Sequence, residues 1–197
     1  MERVSGAALR QKILDEAIGL VCGEGVDRVT MRALGERLGY SPATIYLYFR
    51  NKGELLTEIA RHGFEKLAER ALPAMDEPDA RTALRGSIVA YIDFALENPA
   101  LYRLMFEALP PARQNESRYP KARELYDKRI EIFRRGAEQG VFRDVHPDLQ
   151  FSVYWSVLHG FAQLASTGRM PPPDSTRSLA QLREILADEL IVALAPG

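Results

Sequence analysis

The sequence predicts an all-α fold. Apolar residues recur at steps of three and four almost throughout its 197 residues. No segment sustains the one-in-two alternation of an exposed strand. Glycine and proline punctuate the pattern where helices would end.

The elements follow in order. Leu9, Ile13, Ala17, Leu20 and Val21 give a first helix one buried face, and Gly23 and Gly25 end it. A short helix is expected at about 31–38 and another at 42–49. Asn51 reads as an N-cap, with Glu54 three residues on in a capping-box arrangement. Leu56, Ile59, Gly63, Phe64 and Leu67 continue on one face of a longer helix. Residues 73–78 (PAMDEP) break the pattern and mark a candidate boundary. Leu84, Ile88, Tyr91, Ile92 and Ala95 define the next helix. Asn98-Pro99 opens another, which carries Leu101, Tyr102, Met105 and Phe106. Residues 110–120 read as a polar loop. Helices are then expected at about 121–139, 147–167 and 178–194, the last two separated by three prolines at 171–173. There is no tandem repeat.

Composition narrows the class. With 46% hydrophobic residues the chain can build one sizeable core, or a small module joined to a larger one. Charged residues make up 27%, which argues against disorder. A net charge of −1 neither favours nor excludes nucleic acid. The single cysteine, Cys22, excludes an internal disulfide and fits a reducing compartment. The opening MERVSGAALRQKIL lacks the apolar run of a secretory signal. Residues 149–168 carry no charge and approach the length that spans a bilayer. Gln150, Ser152, Ser156, His159, Gln163, Ser166 and Thr167 are spread through them, so a buried bundle helix is the expectation.

The chemistry concentrates in TMRALGERLGYSPATIYLYFRNK, residues 30–52. Leu34 and Leu38 face inward. Gly39 can take the positive φ of a sharp turn. Ser41 caps the next helix, and Pro42 takes its first position, where no N–H is needed. Ile45 and Phe49 share the core-facing side. Ala43 and Leu47 point away, flanked by Thr44 and Tyr46. So short a helix is marginal alone, so its neighbours must hold up its exposed face, which is how a recognition helix is presented to a major groove. Arg28, Arg32, Arg37, Arg50 and Lys52 stand against one acid, Glu36. Phosphate neutralisation needs such a local patch rather than a high overall pI.

This segment resembles the DNA-binding signature of the TetR (tetracycline repressor-like) regulators over about residues 9–60. Thr30 to Leu34 is similar to that family's helix 2, Gly39 to Phe49 to its turn and recognition helix, and Asn51 to Leu56 to the start of its helix 4. Gly35 departs from the commoner alanine, and Ala43 from the frequent glycine. The resemblance implies that Thr30 caps helix 2 and touches phosphate, and that Arg32 reaches the backbone or a base edge. It further implies that Ser41, Tyr46, Tyr48 and Lys52 hold phosphates. Ala43, Thr44 and Leu47 would face bases, where an apolar group can meet a thymine methyl.

The resemblance also implies a domain plan. Residues 1–52 form a three-helix DNA-binding domain with a helix-turn-helix. Residues 53–197 form a helical effector-binding and dimerisation domain, with a linking helix at about 53–72. Trp155, His159 and Gly160 spell W-x-x-x-H-G, similar to one subgroup of the family. His159 is open to two readings: a ligand contact or pH-sensitive group, or a core histidine with Gly160 permitting close helix approach. Phe94, Leu101, Met105, Phe106, Tyr126, Ile130, Phe133, Tyr154, Trp155, Leu158 and His159 are candidates to line an effector cavity, and plain core is the alternative for each. With few charges converging, they favour an apolar or aromatic small molecule. Phe151, Leu179, Leu182, Ile185, Leu186 and Leu190 are candidates for a two-fold four-helix interface between protomers.

The expected partners are therefore a double-stranded operator of inverted-repeat form, a small effector and a second copy of the chain. No membrane, metal or cofactor is expected. The expected location is the cytoplasm, at the nucleoid. The resemblance implies repression relieved by ligand as the usual outcome, with activation as the alternative, and the expected mechanism is that an effector among helices 5 to 8 pivots helix 4. An enzyme is the alternative from another class, but His62, His146 and His159 lie far apart and no metal, P-loop or dinucleotide motif occurs. A helical interaction module would leave the basic, tyrosine-rich segment unexplained.

Overall fold

The computed structural model describes residues 6–106, 119–170 and 177–196. The order is α1 (Gly6–Glu24), a 3₁₀ turn (Val26–Arg28), α2 (Met31–Leu38), α3 (Pro42–Tyr46), α4 (Lys52–Met75), α5 (Ala80–Glu97), α6 (Pro99–Phe106), α7 (Pro120–Glu138), α8 (Pro147–Ser166) and α9 (Leu179–Leu194). The fold is all-α, and the described residues contain no strand.

The chain divides into two compact units, residues 1–64 with 100–119, and residues 65–99 with 120–197. In the first, Leu9, Ile13, Ala17, Leu20 and Val21 of α1 are buried with Met31 and Leu34 of α2, Ile45 of α3, and Leu55, Ile59 and Ala60 of α4. Each of the leucine, isoleucine, valine and methionine side chains contributes about 1.5–3 kcal/mol on leaving water. The Arg10 guanidinium lies 4.8 Å above the Phe49 ring and pairs with Glu58 at 3.0 Å, fastening α1 to α4. Phe64 meets Phe106 edge-on at 5.6 Å. The close contact of α6 on α4 needs Gly63, because a Cβ there would stand 2.4 Å from Met105 Sδ.

In the second unit, α5 is the buried centre, with Leu84, Ile88, Tyr91, Ile92 and Phe94 inside. Asp79 caps it by accepting the Thr82 N–H at 2.8 Å. Ser178 and Gln181 form a reciprocal capping box at the start of α9. Arginines tie α4, α5 and α9 together. Arg70 reaches Glu97 at 2.5 Å and Asp93 at 3.4 Å, Arg85 reaches Glu184 at 2.6 Å and Asp188 at 2.9 Å, and Arg183 holds Asp93 and Glu184. Each exposed pair is worth little alone, but the shared carboxylates make a network.

Two boundaries differ from the sequence reading. α3 ends at Tyr46 rather than 49, because Leu47 and Tyr48 donate to carbonyls three residues back, Thr44 and Ile45, in a tightened turn that delivers Phe49 to the core. α4 continues through Pro73 to Met75. In the last turn the missing N–H costs only one intrahelical bond, so the break comes at Asp76. Most of the expected 110–120 loop and the 171–173 prolines lie outside the described residues.

Candidate nucleic-acid interface and effector site

Local chemistry builds the helix-turn-helix. Thr30 Oγ1 accepts the Ala33 N–H at 3.0 Å and starts α2. Gly39 ends it in the left-handed region, with φ 74° and ψ 29°. The Gly35 carbonyl accepts the N–H groups of both Gly39 and Tyr40, the latter at 2.8 Å. A Cβ on Gly35 would stand 2.7 Å from the Tyr40 carbonyl oxygen. The departure from alanine therefore lets the turn lie directly on α2. Ser41 Oγ accepts the Thr44 N–H at 3.2 Å and hydrogen-bonds the Thr44 hydroxyl at 3.0 Å.

This turn fixes which face of α3 meets solvent. Ile45 and Phe49 are fully buried, whereas Tyr46 is 52% and Leu47 82% exposed. Ala43 is also exposed, and Thr44 and Tyr48 are half-buried. Exposing two large apolar or amphipathic side chains side by side has no folding benefit. The hydroxyls of Thr30 and Ser41 accept the capping bonds.

Arg32, Arg37, Arg50 and Lys52 are partnered by exchangeable groups. Arg32 binds Glu36 at 2.8 Å, and that hydrogen bond raises the Arg32 pKa above the usual arginine value. Arg37 turns back to Glu16, at 3.2 Å, and to Glu24 of α1. Exposed pairs of this kind are worth up to about 1 kcal/mol, so a phosphate can replace the carboxylate. Lys52 Nζ donates to the Val26 carbonyl at 3.1 Å, which ties the start of α4 to the 3₁₀ turn. The expected capping box is half formed. Asn51 Oδ1 accepts the Glu54 N–H at 2.8 Å, but the Glu54 carboxylate reaches past Asn51 to the Arg50 N–H at 2.7 Å. That backbone bond is the main reason the Glu54 carboxyl sits below the usual glutamate range.

The effector candidates fall in both units. Leu101, Met105 and Phe106 belong to the first, packed around Gly63 and Phe64. Phe94, Tyr126, Ile130, Phe133, Tyr154, Trp155, Leu158 and His159 belong to the second. Phe94, Phe133, Tyr154 and Leu158 are buried, and Tyr126, Ile130, Trp155 and His159 are half-buried. Trp155 stacks between Phe151 at 5.8 Å and His159 at 5.3 Å, and Phe133 meets Tyr154 at 5.4 Å. His159 Nδ1 shares a hydrogen bond of 2.9 Å with the Tyr91 hydroxyl. Gly160 has no close neighbour, since a Cβ there would meet nothing within 4 Å; the close approach expected of it is not seen within the chain.

Sequence reasoning missed Arg129, Gln150 and Tyr91, which are buried in the same region. The signal for Arg129 was its register. It continues the buried stripe of Leu125, Ile132, Phe133 and Gly136 on α7, a position that reads as an ordinary surface charge only if register is ignored.

The interface candidates divide as well. Leu179 and Ile185 are exposed and Leu182 and Leu186 half-buried. Phe151 and Leu190 are instead buried within the chain, at 8% and 7% exposure, which leaves them little surface for a partner. Besides Leu179 and Ile185, the exposed large apolar side chains on these helices are Leu149, Val153, Val157 and Leu164 of α8 and Val192 of α9. No described helix is long and apolar enough to cross a membrane.

A capped helix-turn-helix with an outward apolar face, carried on an all-helical chain, defines a DNA-binding protein of the helix-turn-helix class. Comparison with known proteins sharpens this. Residues 13–59 match the family model described as bacterial regulatory proteins, tetR family, and residues 84–187 match tetracyclin repressor-like, C-terminal domain. The chain belongs to the TetR family of transcriptional regulators. It is 32% identical over 95 residues to the uncharacterized HTH-type transcriptional regulator YobS of Bacillus subtilis, covering 48% of this chain and 50% of that protein. The match thus spans half the length of that relative. It is 28% identical over 145 residues, 70% of each chain, to the HTH-type transcriptional repressor SCO4008 of Streptomyces coelicolor. The structure of the TetR family regulator PfmR from Thermus thermophilus superposes with a TM-score of 0.68 at 26% identity, covering 92% of this chain and 97% of that one.

Proposed function

We propose that the protein is a dimeric repressor that binds an inverted-repeat operator and is released by a small effector with an apolar or aromatic body. The observation that carries this is the outward face of α3. Leu47 and Tyr46 are exposed while Ile45 and Phe49 anchor the same turn in the core. The set Thr30, Arg32, Ser41, Tyr46, Tyr48 and Lys52 serves phosphates, and Ala43, Thr44 and Leu47 serve bases. The name of the Streptomyces relative supports the repressor role. Residues 1–52 act as the DNA-binding domain and 53–197 as the effector and dimer domain. The protein works in the cytoplasm, at the nucleoid.

The unpartnered apolar stripe of α8, continued by Leu179, Ile185 and Val192 of α9, supports a second copy as its occupant. A dimer matches an inverted repeat, since two recognition helices then read half-sites in successive major grooves. The aromatic stack around Trp155 supports the effector reading. Helix α4 is continuous from the DNA-binding segment into the second unit, so a ligand there can bias the spacing of the half-site readers. It does so only by as much as its affinity differs between the two states.

The test is fluorescence anisotropy with DNA selected by the purified protein, using the full inverted repeat and one half-site. A repressor dimer binds the full repeat as two chains and loses most of its affinity on the half-site. Equal binding to both, or no preference over random duplex at moderate salt, refutes the proposal.

A further inference from the structure

We infer that the effector carries one carboxylate, seated on Arg129. The inference rests on the reading that the second unit holds the effector site, and it names what chemistry that site takes.

Arg129 is 3% exposed, the most buried charged side chain among the described residues. Its Nε and Nη2 are buried and have no hydrogen-bond partner. Arg70, Arg85 and Arg183 are more exposed, yet each holds two carboxylates. These three accessible arginines are paired with carboxylates, whereas the buried one has no anion. A guanidinium cannot escape by losing its proton.

Its surroundings do not replace the missing anion. The guanidinium carbon lies 5.8 Å from the Tyr91 ring centre and 5.9 Å from that of Trp155. Such ring contacts help, but they fall short of the several-fold larger cost of holding a charge out of water. Tyr91 is already joined to His159, and it is no anion. The Gln150 amide nitrogen and the Tyr154 hydroxyl, one turn apart on α8, are also buried without a hydrogen-bond partner. All three residues can donate, so together they call for an acceptor-rich group. One guanidinium balances one negative charge. The neighbouring rings of Phe133, Phe151 and Trp155 suit an apolar remainder. A carboxylate fits the fork geometry of arginine in a bidentate pair.

The chain has one tryptophan, and it lies beside Arg129, so its emission reports on this site. The probes are phenylacetate and octanoate, each compared with its uncharged amide, phenylacetamide and octanamide. Binding is read by tryptophan emission and by thermal shift of the DNA-free protein. The acids should bind roughly tenfold or more tightly than the amides, the margin of one charged hydrogen-bonded pair. Arg129→Met should abolish that preference while leaving thermal stability equal or higher, because it removes an unpaired buried charge. A residue with a purely structural ion-pair role would lose stability instead. Should Arg129→Met fail to fold, Arg129→Lys keeps the charge and should keep a weakened preference for acids.

Acids and amides binding alike, or an acid preference that survives in Arg129→Met, overturns the inference and leaves the repressor reading intact. No response to either acid at millimolar concentration also overturns it. Acid binding through Arg129 without any operator binding has the opposite meaning: the anion seat stands and the repressor reading falls.

Discussion

Two glycines flank the helix-turn-helix bend for different physical reasons, and replacing each by alanine separates them. Gly39 has φ 74° and a Cβ there would meet nothing within 4 Å. Its requirement is purely conformational. The left-handed region costs an L-residue roughly 1–2 kcal/mol. The stiffer unfolded chain returns about 0.4–1 kcal/mol. Gly39→Ala should therefore lose about 1 kcal/mol, or roughly 2–4 °C in a chain of this size, and Gly39→Asn should lose less. Gly35 is helical, so alanine there gains about 1 kcal/mol of propensity. Its Cβ, however, would stand 2.7 Å from the Tyr40 carbonyl oxygen, where ordinary contact begins at 3.4 Å. The obstacle is backbone, so the turn itself must move by several tenths of an ångström. Overpacking of this kind costs about 1–3 kcal/mol. It also displaces the segment that carries Ser41, Thr44 and Tyr46. Urea unfolding and operator anisotropy on both variants give the answer. Both should be destabilised, but only Gly35→Ala should lose operator affinity once the folded fraction is accounted for, by roughly tenfold if one base contact is misplaced. A Gly35→Ala protein that is more stable by about 1 kcal/mol and binds DNA as before would refute the claim that the turn rests on Gly35.

Further outcomes follow from the same geometry. Lys52→Ala should weaken binding to all duplexes alike and reduce the salt slope by about one, whereas Leu47→Ala, at a position 82% exposed, should leave stability unchanged and alter sequence preference. Titrations at several salt concentrations check both. Val153→Asp with Val157→Asp, both on exposed positions of α8, should yield a folded monomer by sedimentation that binds the inverted repeat no better than a half-site. For Glu58, burial alone would raise the carboxyl pKa, but hydrogen bonds from Arg61 and Arg10 outweigh it and the net shift is downward. A lowered folded value means the stabilisation is full above the ordinary 4.5 and is lost as pH falls through the folded value. Glu58→Gln should therefore be less stable than the parent at neutral pH and converge on it in acid, measured by unfolding across that range.

The sequence by itself determined the parts whose causes are local. Helical periodicity, the Thr30 and Ser41 caps, Pro42 at a helix start and Gly39 at a helix end each act within one or two turns. Order and spacing alone therefore disclosed the helix-turn-helix and the all-α class. Tertiary structure decided what depends on residues far apart in the chain. The end of α3 at Tyr46 follows from drawing Phe49 into the core, and the use of Gly35 from where the Tyr40 carbonyl comes to rest. α8 is apolar on nearly every side, so periodicity could not tell its inward residues, such as Phe151, from its outward ones, Val153 and Val157. Arg129 shows the same limit from the polar side. In the sequence its register places it on the apolar stripe of α7, but only the packing of α5 and α8 around it removes its water and leaves its Nε and Nη2 without an acceptor. Periodicity records which residues share a face, but burial is set by what is packed against that face, and that is a property of the folded chain.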